Sequence, residues 1–238
     1  MPVMAFAIAP SLTIDVVPVG ASGEPVLVID DVAEGAAALR GAACAVRPWQ
    51  AMPPGSFPGL RAGLPAAYAR ALIARLHNPI VNRLLGGGTM KVVRFECSFS
   101  MVTLSPAELT PLQRVPHIDV ARPDRVAIMH FLCGAPFGGT AFYRQVETGL
   151  EQVGPETRER YIAARTAGLA RLRPEDGYPG ADVPGYARTA AIAARFNRVL
   201  AYRSCTLHSG VIEDTSLLSP DPARGRLVAT FFVDYAPA

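Results

Sequence analysis

Six short segments beyond residue 90 have the composition of β-strands. They are rich in valine, phenylalanine, threonine and other β-branched or aromatic residues, and turn-forming residues stand between them. Many short strands in series are typical of an antiparallel barrel or jelly roll. The segments are residues 91–104, 125–132, 140–143, 199–202, 206–210 and 226–235.

A helical pattern interrupts this series at about residues 155–172. Pro155 stands where the first turn of a helix accepts proline, and Tyr161, Ile162 and Leu169 recur at helical spacing. We therefore expect a helix inserted between the strands.

The first ninety residues combine strand, helix and loop patterns. Residues 47–65 contain five prolines and three glycines, which predict a loop with fixed bends. Asp30 or Asp31 is a candidate cap for the first helix. The expected elements are strands at residues 12–19 and 25–29, a helix to about residue 43, and a helix from Pro65 to about residue 85.

Length and composition favour a single domain. The chain has 238 residues, and half are apolar, which is enough for one sizeable core and too few for several independent domains. We predict an α+β fold over residues 1–238. Residues 91–238 form a double-stranded β-helix, or jelly roll, and residues 1–90 form an α/β extension that packs against it.

Charge and cysteine usage exclude several classes of partner. The chain has 23 basic and 20 acidic residues without a basic run, so nucleic acid is not an expected partner. The four cysteines lack the spacing of a zinc knuckle or a disulfide framework.

Residues 1–10 are apolar without a positively charged leader, and no apolar run has the length of a membrane span. We expect a cytoplasmic protein with no membrane partner.

His117 and Asp119 are separated by one residue, and His208 lies far downstream. Alternate side chains of a strand share a face, so His117 and Asp119 are expected to point at one spot while Ile118 packs behind. A third ligand must come from another strand, and His208 is the candidate. Two histidines and one carboxylate leave other coordination positions open, as in non-haem iron(II) oxygenases.

The segments around these residues match a known family in content and in order. They are Pro-His-Ile-Asp at 116–119, Arg-Val-Ala-Ile-Met-His-Phe-Leu at 125–132, Gly-Gly-Thr-Ala-Phe at 138–142, Leu-His-Ser-Gly at 207–210 and Arg-Leu-Val-Ala-Thr at 226–230. With these segments the chain resembles the prolyl-4-hydroxylase-like branch of the iron(II)/2-oxoglutarate dioxygenases, and a bacterial group within that superfamily is the most similar. The resemblance covers about residues 91–235 and does not supply a substrate.

The resemblance implies an enzyme that uses Fe(II), 2-oxoglutarate and dioxygen. It implies His117, Asp119 and His208 as metal ligands and catalytic residues. Because Asp119 fills the carboxylate position, the resemblance implies oxygen insertion or desaturation rather than halogenation. Hydroxylation of an amino acid, a peptide side chain or a small metabolite is the expected reaction.

Arg226 is the expected site for the far carboxylate of 2-oxoglutarate, because an arginine fork binds a carboxylate with two parallel hydrogen bonds. The gap from His208 to Arg226 is longer than is usual in the family, so Arg224 competes for this role. We prefer Arg226 because it starts an apolar strand in which Thr230 lies on the same face. Thr230 is therefore a second cofactor-binding candidate.

Other residues and functions stay open. His130 is included among the cofactor-binding candidates, although a core histidine is its more ordinary interpretation. Trp49, Arg61 and Tyr68 are candidate substrate contacts, with packing of the N-terminal residues as the favoured alternative. A metal-dependent cupin-type enzyme that does not use 2-oxoglutarate, and a non-catalytic jelly-roll binding module, are the alternative functions.

Overall fold

The structure is a computed structural model, and it describes residues 6–173 and 175–238. The expectation that residues 1–10 lack a leader falls partly on residues 1–5, which lie outside the described residues. Among the described residues, no helix combines the length and the apolar character that crossing a membrane requires.

Twelve strands and three α-helices are found in the described part of the chain. The strands are β1 (Ile14–Val19), β2 (Glu24–Ile29), β3 (Gln50–Ala51), β4 (Gly59–Ala62), β5 (Met90–Val102), β6 (Arg125–Phe131), β7 (Gly139–Gln145), β8 (Asp182–Val183), β9 (Tyr186–Ala193), β10 (Arg198–Arg203), β11 (His208–Val211) and β12 (Arg226–Pro237). The helices are α1 (Ala36–Ala45), α2 (Ala66–Leu84) and α3 (Arg158–Leu169). The predicted β-rich segments and the predicted insertion helix are all present.

The strands form two antiparallel sheets. The larger sheet has the order β1-β2-β10-β6-β12-β5-β4-β3, and the smaller has the order β11-β7-β9-β8. Every pairing between these strands is antiparallel. The prediction of a fold that combines antiparallel sheets with helices is thus confirmed.

The four strands of the first ninety residues lie in the larger sheet. Strand β2 pairs with β10, and β4 pairs with β5. Residue 90 is therefore not a boundary between sheets. The division into a core and an N-terminal extension stays a prediction.

The two faces of the larger sheet pack against different elements. Side chains along β12 point alternately to one face and to the other. Leu227, Ala229 and Phe231 pack with residues of α1 and α2. Val228 and Phe232 point the other way and pack with residues of the smaller sheet. Full burial of one such side chain contributes about 1.5–3 kcal/mol. Helices thus cover one face, and the second sheet covers the other.

Three local predictions need correction. Helix α1 starts after Gly35, whose φ is 78°, and not after Asp30 or Asp31. The Asp30 carboxylate instead accepts a hydrogen bond from Nε of Arg198 at 2.7 Å. The proline-rich segment contains β3 and β4, and β9 falls on an alanine-rich stretch for which no strand was expected.

Candidate metal centre

A cavity of about 450 Å³ opens between the two sheets. The larger sheet contributes residues of β4, β6, β10 and β12 to its wall, the smaller sheet contributes residues of β7 and β11, and α3 contributes one side chain. His117, Asp119 and His208 all line this cavity.

Backbone hydrogen bonds bring the three residues together. The amide of His117 donates to the carbonyl of His208 at 2.9 Å, and the amide of His208 donates back to the carbonyl of His117 at 2.9 Å. The amide of Asp119 donates to the carbonyl of Ser204 at 2.9 Å. The predicted strand at His117 is wrong, since this pairing is an isolated bridge and Asp119 lies in a bend. One bridge and one further hydrogen bond replace the expected strand.

The side chains converge on one point. Oδ1 of Asp119 lies 3.9 Å from Nε2 of His117 and 3.8 Å from Nε2 of His208. One candidate ligand atom from each residue lies within 4.8 Å of the others. Adjacent ligands of a six-coordinate ion with bonds of about 2.1 Å lie about 3 Å apart. Small side-chain rotations therefore bring all three within bonding distance of one cation.

The protonation states of the histidines suit a metal. Nδ1 of His208 donates to the carbonyl of Thr206 at 2.8 Å, which leaves the Nε2 lone pair facing the cavity. Burial lowers the pKa of His208 to about 4. Partial desolvation in the cavity, with His208 close by, lowers the pKa of His117, whose side chain is 47% exposed. Both imidazoles are therefore neutral at pH 7, the form that coordinates metals.

The surroundings of Asp119 show whether these three side chains suit a metal ion. Burial raises the pKa of its carboxyl group, and its Oδ2 is buried with no hydrogen-bond partner among the described residues. A buried carboxylate oxygen without a donor is costly, and native structures rarely leave one unsatisfied. A cation held between Asp119 and the two imidazoles removes that cost. The donor set present therefore fits a divalent metal.

Arg226 lines the same cavity and is 3% exposed. Its Nε donates to the carbonyl of Phe137 at 2.9 Å and its Nη2 to the carbonyl of Gly139 at 2.7 Å. No carboxylate forms an ion pair with it in the described part of the chain. Arg224, in contrast, is 84% exposed and lies beside Asp221, so only Arg226 of the two faces the cavity.

Thr230 follows on the same face of β12. Its side chain is buried and lines the cavity, and its hydroxyl has no hydrogen-bond partner within the described residues. The expected sharing of one strand face by Arg226 and Thr230 is therefore observed.

His130 is a correction to the cofactor-binding set. It lies on the helix-covered face of β6, outside the cavity wall. Its Nδ1 accepts from the hydroxyl of Tyr68 at 2.6 Å, and its Nε2 donates to Oδ1 of Asn197 at 3.0 Å. With both ring nitrogens occupied and the ring fully buried, His130 has no atom left for a cofactor.

Several wall residues were not predicted or were given another role. Tyr202 of β10 lies edge-on to the His208 ring, with ring centroids 4.8 Å apart, and Tyr178 and Arg165 also line the cavity. Arg61 was a candidate substrate contact, and it too lines the wall. Trp49 instead packs near Phe99, as the packing alternative predicts. The sequence around Tyr178 and Arg165 carries no motif that signals their position.

Comparisons with known proteins place the chain in one family. The model of the family described as "Family of unknown function (DUF6445)" matches residues 10–233. No curated protein matches the chain.

Solved structures show distant likenesses. HygX from Streptomyces hygroscopicus, with nickel and 2-oxoglutarate bound, is 14% identical with a TM-score of 0.48, covering 91% of this chain and 84% of HygX. The non-heme alpha ketoglutarate dependent epimerase SnoN from nogalamycin biosynthesis is 14% identical with a TM-score of 0.46, covering 90% and 78% of the two chains. An N-substituted L-amino acid dioxygenase from Burkholderia ambifaria AMMD, in complex with alpha-KG, is 11% identical with a TM-score of 0.37. The match covers 90% of this chain and 82% of the dioxygenase.

Proposed function

The chain belongs to the DUF6445 family, and we propose that it is an iron(II)- and 2-oxoglutarate-dependent oxygenase. The observation that carries this proposal is the convergence of His117, Asp119 and His208 on a cavity that also holds the buried guanidinium of Arg226. Two imidazoles and one carboxylate with open positions suit iron(II). Hydroxylation of an amino acid, a peptide side chain or a small metabolite is the proposed reaction.

The fold and the location follow as parts of the same proposal. Two antiparallel sheets that face each other across the cavity support a jelly roll. The segments that contain the three ligands support the prolyl-4-hydroxylase-like branch. The four cysteines are free thiols, which supports a reducing, cytoplasmic location.

Each residue of the site has a defined task. Bound together, iron(II) and 2-oxoglutarate would supply the electrons that activate dioxygen, the oxidant, for attack on a carbon–hydrogen bond. His117, Asp119 and His208 hold the metal on one side, and the Thr206 carbonyl fixes the tautomer of His208. Arg226 binds the far carboxylate of 2-oxoglutarate, with the Thr230 hydroxyl as a further donor.

An anaerobic spectroscopic titration tests the proposal. Iron(II) and then 2-oxoglutarate are added to the folded protein, and we expect a weak visible charge-transfer band that needs both additions. Asp119→Ala should abolish the band, and Arg224→Ala should leave it unchanged. A folded wild-type protein that gives no band under these conditions would falsify the assignment of 2-oxoglutarate.

One observation favours a second candidate function. Because Arg226 already donates to the carbonyls of Phe137 and Gly139, its guanidinium has a structural task as well. If these two hydrogen bonds were the whole role of Arg226, the site would fit a cupin-type metal enzyme that does not use 2-oxoglutarate. This alternative is supported if the wild type and Arg226→Ala both bind metal and neither of them binds 2-oxoglutarate.

A further inference from the structure

Two more arginines line the cavity, and the proposed function gives neither of them a task. Arg61 reaches the cavity from β4 and Arg165 from α3. The charge of Arg61 acts on Asp119, and the charge of Arg165 acts on His117. Both arginines line the same cavity as the three candidate metal ligands.

Neither arginine has all its donors satisfied among the residues that the structure describes, although Arg165 interacts with Tyr161. The Nε atoms of Arg61 and Arg165 are buried and have no hydrogen-bond partner among the described residues. No ion pair joins either guanidinium to a carboxylate within the described ranges. Glu96 attracts Arg61 less strongly than Asp119 does, and Glu96 itself is hydrogen-bonded to Arg94 at 2.6 Å. Buried donors of this kind are costly unless something else satisfies them.

Aromatic rings hold both guanidinium groups in place. Cζ of Arg61 lies 5.1 Å from the centroid of the Phe57 ring, and Cζ of Arg165 lies 5.3 Å from the centroid of the Tyr161 ring. An arginine stacked on a ring keeps its N–H edges free to bind an anion. Such a donor also loses little side-chain entropy when a ligand binds.

The charges of the cavity point to the kind of ligand. The guanidinium groups of Arg61, Arg165 and Arg226 face a single carboxylate, that of Asp119. A bound divalent cation and a bound dicarboxylate would cancel each other and leave two positive charges without partners. Unpaired charges in a partly buried cavity are destabilising.

We infer that the substrate carries an anionic oxygen group, a carboxylate or a phosphate, which Arg61 and Arg165 bind beside the metal. The inference rests on the proposed function, because it assigns Arg226 to 2-oxoglutarate. It narrows the substrate class to molecules that carry a carboxylate or a phosphate, zwitterionic amino acids included, and excludes molecules without an anionic group.

The test measures binding and needs no turnover. The protein is loaded with Ni(II) and saturating 2-oxoglutarate, so that Arg226 is occupied, and is titrated with matched probes by saturation-transfer NMR. Hippurate is compared with hippuramide, and phenyl phosphate with phenol. We expect at least one acid to bind with a dissociation constant of about 1 mM or tighter, and at least about tenfold more tightly than its neutral partner. Hippurate and phenyl phosphate distinguish carboxylate from phosphate.

Variants then locate the binding. Arg61→Gln and Arg165→Gln remove the charge and keep the aliphatic part of the side chain, and each should weaken binding of the preferred acid by about tenfold. Arg224→Gln removes an exposed charge and should leave the affinity unchanged. Circular dichroism confirms that each variant is folded, and either variant alone suffices for the comparison.

Three results would overturn the inference. These are equal binding of acids and neutral partners, an equal loss in Arg224→Gln, and no binding of either acid. In all three cases a normal affinity for Ni(II) and 2-oxoglutarate shows that the proposed function survives. If 2-oxoglutarate itself fails to bind, the proposed function fails instead.

Discussion

Replacement of Arg226 by alanine should sharply weaken the binding of 2-oxoglutarate. A guanidinium has five N–H donors, and two of those of Arg226 are used by the carbonyls of Phe137 and Gly139. The remaining donors suffice for a carboxylate held by two parallel bonds. Arg226 is nearly fully buried, so solvent screens this contact little.

The size of the effect follows from that geometry. Removing one partner of a buried, hydrogen-bonded charge pair costs about 2–5 kcal/mol, which corresponds to a loss of affinity of roughly 30-fold to several thousandfold. Arg226→Lys keeps the charge without the fork and should fall between the alanine variant and the wild type. Arg224→Ala should bind as the wild type does, because Arg224 is exposed.

Isothermal titration calorimetry of the Ni(II)-loaded proteins measures these affinities. Each variant is first checked for one bound metal per chain and for cooperative unfolding, because Arg226→Ala also leaves two backbone carbonyls without their donor. Arg226 does not bind the far carboxylate if a folded, metal-loaded Arg226→Ala binds 2-oxoglutarate within about threefold of the wild type, a difference below 1 kcal/mol.

Three further predictions concern stability and metal binding. Asp119→Asn should lose metal binding and raise the melting temperature of the metal-free protein, because it removes a buried carboxylate whose Oδ2 lacks a partner; a lower melting temperature would contradict this. Burial holds the pKa of His130 and of His208 at about 4, against about 6.5 when unfolded. The unfolded chain therefore gains protons first as the pH falls, and each histidine should cost the metal-free protein up to roughly 3 kcal/mol between pH 6.5 and pH 4. Urea unfolding at several pH values measures this, and unchanged stability from pH 7 to about pH 5 would be evidence against it. Glu24 is 3% exposed and pairs with Arg203. Glu24→Ala should therefore lower the free energy of unfolding by about 3–5 kcal/mol. A loss below about 1 kcal/mol would contradict this, because it is typical of an exposed ion pair.

Strands with a clear composition were predictable, and those that depend on distant partners were not. Strand β12 is rich in valine and phenylalanine, which predicts its existence, and the alternation of side chains along any strand predicts its two faces. Strand β9 is rich in alanine and forms because β7 pairs with it across the sheet. Strand β4 lies between prolines, and Gly59 allows the backbone of β5 to approach so closely that a Cβ would lie 2.0 Å from the Met101 carbonyl oxygen.

The candidate site likewise combines features that the sequence predicts with features that depend on tertiary packing. The spacing of His117 and Asp119 correctly predicted that their side chains are neighbours in space, although the local structure is a bridge and a bend instead of a strand. Arg165 has no sequence signal, because only the packing of α3 over the cavity brings it to the site. His130 occurs in a matching segment, yet alternation along β6 turns it to the helix-covered face.

A crystal structure of the protein with Ni(II) and 2-oxoglutarate tests the central claim most directly. We expect one metal bound to Nε2 of His117, a carboxylate oxygen of Asp119 and Nε2 of His208, each at about 2.1 Å. We also expect the far carboxylate of 2-oxoglutarate on the guanidinium of Arg226. A metal that leaves out any of these three residues, or a 2-oxoglutarate whose far carboxylate lies elsewhere, would contradict the central claim.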